Sequence, residues 1–269
     1  MGNIYQRWNI HHRLQHILLF VSFFILTLTG LPIKYAYSGW AVRATSIFGG
    51  FDTMLLIHKV AAAIMIISAI YHLGYLLYCW LVKKQMSTAT LPTWKDVTDL
   101  LDHIIYCFGF TKEDAKFDRY SYKEKFDYWA VFWGIAIMVG SGLMMWFPHI
   151  TAEFVPRWIM DCAQVAHSDE AMLAIMAVFV WHFYNAHFSP LVFPMSLVWL
   201  KGNLNQEEME EFHPLELEKK APPVIGSTAA VEGKTSSFRS NPYLIILQMV
   251  VYAAILIWFL RSFLPLGLM

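Results

Sequence analysis

Five long apolar runs constrain this chain more than any other feature: Ile17–Ala36, Met54–Val82, Tyr128–Phe147, Val165–Phe193 and Tyr243–Leu260. A bilayer core of about 30 Å needs roughly 20 apolar residues in a helix. In hydrocarbon the backbone must satisfy its own hydrogen bonds, so each run is expected to be a transmembrane helix. The fold class expected is therefore all-α, an integral membrane bundle. With 57% hydrophobic and only 15% charged residues, the chain falls well below the roughly 25% charge of soluble domains. A formal net charge of zero argues against a nucleic-acid partner. The polar, His-rich start runs straight into the first apolar run, so that run is expected to be a retained span. Cys79, Cys107 and Cys162 form no C-x-x-C or C-x-x-C-H, which excludes a c-type haem attachment, a zinc ribbon and a cysteine-ligated iron–sulfur cluster within the chain.

Gly30 with Pro32, and Pro148, stand where the first and third spans should stop. Basic residues set the expected orientation. Arg7 and Arg13 precede the first span, and Lys83, Lys84, Lys95, Lys112, Lys116, Arg119, Lys123 and Lys125 lie between the second and third. The connection between spans three and four carries only Arg157. The N-terminus is expected to be cytoplasmic and the C-terminus extracytoplasmic, in a bacterial or archaeal inner membrane. The chain is expected to divide into three regions: residues 1–200 as a four-helix core with a cytoplasmic connector at about 83–126, residues 201–241 as a flexible arm, and residues 242–269 as a fifth span. Within the connector Thr93 is placed to cap a helix whose Val97, Leu100, Leu101, Ile104 and Ile105 share one face. That helix lies on the membrane surface, packs under the bundle, or is a solvated connector. No internal repeat is visible.

Histidines inside a bilayer are costly unless they are bonded to something. His16 opens the first span, His58 and His72 lie fourteen residues apart in the second, and His167 and His182 lie fifteen apart in the fourth. Fourteen or fifteen helical residues rise about 21–22.5 Å and return to within about 40–60° of the starting direction. Spans two and four run parallel under the expected orientation. They offer imidazoles at matched depths, His58 with His167 outside and His72 with His182 inside. Each pair suits the two axial positions of a haem iron. Zinc is the weaker rival, because sites so far apart would each hold few ligands. The inner layer has a surplus, since His16 and His187 lie there too, and spacing alone does not choose among them.

These residues resemble the gamma subunit, a dihaem cytochrome b, of respiratory formate dehydrogenases and the related b-type subunits of nickel–iron hydrogenases. The resemblance covers about residues 10–220 and rests on Arg13-x-x-His16, Thr29-Gly30, His58, Tyr122-Lys123-Glu124-Lys125, Ser141-Gly142-Leu143-Met144-Met145-Trp146, His167, His182-Phe183-Tyr184, Trp199-Leu200-Lys201-Gly202 and His213-Pro214. It implies a four-helix core with two haems b, the outer held by His58 and His167 and the inner by His16 and His182. The family's fourth-helix spacing is one residue shorter, which predicts a bulge or a rotated ligand here. His72 is not a ligand in the formate dehydrogenase pattern, and the fifth span is an addition. His72 with His182 stands as the alternative inner pair, as in the cytochrome b of quinol–cytochrome c oxidoreductases.

The function implied is an electron conduit with no catalytic residues of its own, part of a hetero-oligomeric complex. It exchanges electrons with an extracytoplasmic iron–sulfur subunit or a multihaem cytochrome at one side and with menaquinone or ubiquinone at the other. Arg13, Asn185 and His187 are the candidate quinone residues; each has a plain structural reading as well, Arg13 on lipid phosphate or a propionate and Asn185 as a helix–helix bond. His149 and Trp158 are placed to meet a partner, and His11, His12, His103 and His213 are expected to be solvated. A transporter, the alternative from another class, would want an internal repeat or helices broken at mid-membrane, and neither is visible.

Overall fold

The computed structural model describes residues 3–85, 87–189, 192–193, 195–219 and 250. A short strand, β1 (Ile4–Gln6), leads into α1 (Ile10–Lys34), a short α2 (Gly39–Ile47) and the long α3 (Phe51–Leu81). Next come α4 (Trp94–Cys107), α5 (Tyr122–Trp146), α6 (Pro148–Phe154) and α7 (Arg157–Met176). Beyond Met176 the backbone is π-helical over Ala177–His182 and Tyr184–Phe188. The described part ends with α8 (Val198–Lys201), β2 (Asn203–Asn205), α9 (Gln206–Phe212) and α10 (Pro214–Lys219). Four helical stretches are long and apolar enough to cross a membrane: Ile10–Lys34, Phe51–Leu81, Tyr122–Trp146 and Arg157–Phe188. The chain is thus an all-α membrane bundle. The fifth apolar run lies outside the described residues, apart from Val250.

Capping chemistry explains where the spans begin. α1 starts before Ile17 because the Asn9 side chain accepts the His12 N–H at 3.0 Å, which makes His11, His12, Arg13 and Gln15 helical. Pro32 lies within the last turn of α1 and does not end it; the helix closes at Tyr35, whose N–H donates to the Leu31 carbonyl at 3.0 Å. α5 starts ahead of Tyr128 because Ser121 and Glu124 form a capping box. Gly49 and Gly50, at φ 84° and 104°, turn the chain from α2 into α3 in a conformation that favours glycine. α4 forms as expected, with Thr93 and Asp96 in a capping box. Its apolar side, including Val97, Leu101 and Ile104, is exposed.

The described residues divide into two compact units, those within 3–175 and 198–219, and those within 176–197 with Val250. In the larger unit α1 packs along most of α3, and Ser22 on α1 meets the Met65 sulfur at 3.6 Å. Phe20, Leu28, Val60, Ile67, Ile70 and Trp133 face outward, as lipid-facing positions should. In the smaller unit the π-helical segment holds Phe179 on Phe183 at 5.2 Å and Phe183 on His187 at 5.9 Å.

Residues 203–219 are docked rather than a flexible arm. β2 pairs antiparallel with β1, Ile4 opposite Asn205 and Gln6 opposite Asn203. Tyr5, Leu204 and Met209 form a small buried core there. Gly202, at φ 80°, accepts the Arg7 and Trp8 N–H groups at 2.9 Å each. A Cβ at that position would fall 2.5 Å from the Trp8 carbonyl oxygen, so only glycine fits. The buried Arg7 guanidinium pairs with the Glu216 carboxylate, which also takes Arg119 at 2.8 Å. His213 is buried rather than solvated: its Nδ1–H donates to the Asp118 carbonyl at 2.8 Å, and Nε2 lies 3.2 Å from Arg7 as an acceptor. His103 is likewise engaged, on Asp114 at 2.7 Å.

Removing one partner of a buried ion pair costs about 3–5 kcal/mol, and Glu216 here faces two arginines. Glu216→Ala is expected to release residues 203–219 to limited proteolysis in detergent; wild-type protection in the variant would refute the ion-pair account. The docking also depends on pH. Burial foremost, against the opposing pull of Glu124 and with the nearby charges of Arg7 and Arg119 adding to it, holds His213 below its ordinary value of 6.5. The undocked imidazole then takes a proton that the docked one refuses, so protection is full above about pH 6.5 and falls as the pH drops below it. Hydrogen exchange of the β1–β2 amides across pH 5 to 8 measures this directly.

Candidate functional site

Near the C-terminal end of α1, Thr29 is fully buried. Its hydroxyl donates back to the Ile25 carbonyl at 2.7 Å, with Leu26 at 3.3 Å. With its one proton committed, the oxygen is left to accept, and His58 Nδ1 lies on it at 2.8 Å. His58 therefore carries its proton on Nδ1 and its lone pair on Nε2, the form that ligates a metal. The adjacent Gly30 makes this approach possible: a Cβ there would fall 3.3 Å from His58 Cε1, tighter than ordinary contact.

The same device recurs between α5 and α7. The Ser141 hydroxyl donates to the Ile137 carbonyl at 2.6 Å and accepts from His167 Nδ1 at 3.1 Å. A Cβ on Gly142 would fall 3.1 Å from His167 Cε1. Two helical hairpins thus each hold one imidazole against a hydroxyl–glycine pair, with the same tautomer. Lys34, at the end of α1, bonds Ser168 and pairs with Asp169 at 3.0 Å, tying the first hairpin to the helix that carries His167. Asp169 is largely exposed, so this pair adds position more than stability.

The other histidines differ in kind. His72 has both nitrogens engaged, Nδ1 on Gln15 Oε1 and Nε2 on the Tyr128 hydroxyl, each at 3.0 Å. His16 lies between Trp8 and Trp199, with ring centroids 5.3 and 5.9 Å away. In the smaller unit His182 and His187 stand nearly perpendicular at 6.2 Å. Arg13 donates to the Leu200 and Lys201 carbonyls at 2.8 and 3.1 Å, closing the end of α8. Asn185 donates to the Trp181 carbonyl one turn back at 2.9 Å.

Thr29-Gly30 and Ser141-Gly142 stand out in the sequence only as part of a family pattern. The structure gives each pair its task of fixing a tautomer and clearing space for a ring. Glu170 escapes sequence reading altogether. One turn beyond His167, its Oε1 lies 2.9 Å from where a Gly134 Cβ would be, and the signal for it is a carboxylate inside an apolar span.

An iron that arrives within a porphyrin brings four equatorial nitrogens and asks the protein for one or two axial donors. Two neutral imidazoles with Nδ1 committed elsewhere, each seated over a glycine, fit that demand. A bare metal ion would need more ligands. Among the described residues no three His, Cys, Asp or Glu side chains come together to supply them. No curated protein matches the sequence. The family model described as prokaryotic cytochrome b561 matches residues 7–193, a stretch that takes in all of the histidines just described. The chain belongs to the prokaryotic cytochrome b561 family of membrane cytochromes, which bind b-type haem and carry electrons.

Proposed function

We propose that this cytochrome binds two haems b and conducts electrons between an extracytoplasmic redox subunit and the membrane quinone pool. The outer haem takes His58 and His167, and the inner haem takes His16 and His182. The observation that carries the reading is the matched pair of hydroxyl–glycine–imidazole sites in the two hairpins. A bound haem supplies one-electron redox chemistry. The protein's part is to present Nε2 of each ligand, to hold the rings still through Nδ1, and to exclude water.

For the inner ligand, the engagement of both His72 nitrogens favours His16, in keeping with the resemblance to formate dehydrogenase gamma subunits. The basic residues of the N-terminus and of the connector before α5 favour a cytoplasmic N-terminus. Quinone then exchanges near the cytoplasmic side, and the partner, an iron–sulfur subunit of the formate dehydrogenase or hydrogenase type, docks outside. Electrons entering from outside and protons taken from the cytoplasm would together move charge across the bilayer.

A pyridine haemochrome assay on purified protein tests the ligation. Wild type is expected to hold two haems b per chain; His58→Ala and His167→Ala each lose the same one, His16→Ala loses the other, and His72→Ala keeps both. Loss of haem on His72→Ala would move the inner ligand to α3, and a haem-free wild type would sink the reading. The supporting residues make a graded prediction. Gly30→Leu and Gly142→Leu are expected to eliminate the outer haem by filling the ring's place. Ser141→Ala should keep it but weaken its retention by about 10–100-fold, as loss of an outer-shell partner does. Equal haem transfer to apomyoglobin from Ser141→Ala and wild type would count against the role of the hydroxyl.

A further inference from the structure

His72, the surplus histidine, sits at the centre of a polar group drawn from three helices. Gln15 on α1 supplies the oxygen that accepts its Nδ1–H, and Tyr128 on α5 donates its hydroxyl proton to Nε2, both at 3.0 Å. Polar groups inside a bilayer are retained where they bond one another or bind something. Here the bonding is incomplete. Gln15 is 6% exposed, and its Nε2 is buried with no hydrogen-bond partner among the described residues. Leaving a buried amide N–H unmade costs about 1–3 kcal/mol, so a donor held this way calls for an acceptor.

The surroundings narrow the acceptor's chemistry. Gln15 is buried and bonded to His72, whereas His72 and its other partner Tyr128 are only half-buried. Beside those two, Leu73 and Leu76 on α3 and Trp129 and Phe132 on α5 are exposed apolar residues within the spans. A molecule reaching Gln15 therefore comes from the lipid side and has a polar acceptor at one end and an apolar body. Gln15 also directly precedes His16, the proposed inner-haem ligand. At the rim of this region toward the N-terminus of α1, His11 bonds the Tyr71 hydroxyl at 2.6 Å and Asn9 bonds that of Tyr75 at 2.7 Å, so α1 and α3 are held together there.

We propose that Gln15, His72 and Tyr128 form a quinone headgroup site, in which Gln15 Nε2–H donates to a quinone carbonyl oxygen and the His72–Tyr128 pair holds the carboxamide in that orientation. This site rests on the reading of the chain as a quinone-linked cytochrome and is offered in place of Arg13 and Asn185, which donate to backbone carbonyls of Leu200, Lys201 and Trp181. Gln15 is the recognising residue; His72 and Tyr128 are positioning residues.

The test uses the purified full chain in lipid nanodiscs, with haem content measured first and haem reduction followed by stopped flow. Dithionite reduces the haems independently of any quinone site, and a naphthoquinol reduces them through it. Gln15→Leu is expected to keep both haems and its dithionite rate, and to need about ten times more naphthoquinol for half-maximal rate, the equivalent of one lost hydrogen bond of about 1.4 kcal/mol. Tyr128→Phe should raise the same half-saturating concentration by less and leave the maximal rate unchanged, a split that a misfolded variant would not give. Variants that respond to naphthoquinol as wild type does overturn the site while leaving the quinone-linked function standing. A wild-type protein that dithionite reduces and naphthoquinol does not overturns both. Loss of haem in Gln15→Leu makes the residue a support for the haem and overturns the site as well.

Discussion

An imidazole in hydrocarbon must give its N–H to something, and in this protein the acceptor is a hydroxyl whose own proton is already committed. Thr29 and Ser141 each donate to a carbonyl four residues back on their own helix, so their oxygens can only accept from the facing histidine. This one constraint fixes the tautomers of His58 and His167 and leaves the lone pair of each on Nε2. It also favours small neighbours: a Cβ on the next residue would crowd the ring, and Gly30 and Gly142 are both in place. The helix pairing α1–α3 and the approach of α5 to α7 at Ser141 come from the need to bring those groups within 2.8 and 3.1 Å.

The spans were legible in the sequence because membrane helices announce themselves by length and apolarity, and all four in the described residues lie where the runs place them. Their first turns were less so. Asn9 and Ser121 begin α1 and α5 in polar sequence ahead of the apolar runs, since a cap needs only a side-chain oxygen and a few free N–H groups. The docking of residues 203–219 was not legible at all. A three-residue strand pairing and an ion cluster of Arg7, Glu216 and Arg119 depend on residues 97 to 209 positions apart, and acidic composition reads equally well as a solvated arm.

The histidines show the same division. Spacing identifies His58, His72, His167 and His182 as a set with depth in common, but it treats His72 and His16 alike. What the structure adds for His72 is that both of its nitrogens are engaged, by Gln15 and Tyr128, each on a different helix from His72. Periodicity within one helix carries no information about a hydrogen bond between three.

The fourth span carries the clearest link between sequence arithmetic and backbone geometry. His167 and His182 are separated by one residue more than in the formate dehydrogenase family the chain resembles. In an α-helix each added residue turns every later side chain by about 100°. A π-helical turn, with its hydrogen bonds closing on i+5, takes up one extra residue within the helix, and such turns collect at functional sites. Ala177–His182 is wound this way, and after Phe183 the π winding resumes over Tyr184–Phe188. This winding is of the kind that takes up an added residue, and it lies in the stretch that carries His182. A residue inserted in an ordinary span would be absorbed by rotation of the whole helix against lipid. Where a side chain must keep its direction, the added residue has to be taken up locally, and π winding is a physical form for doing so.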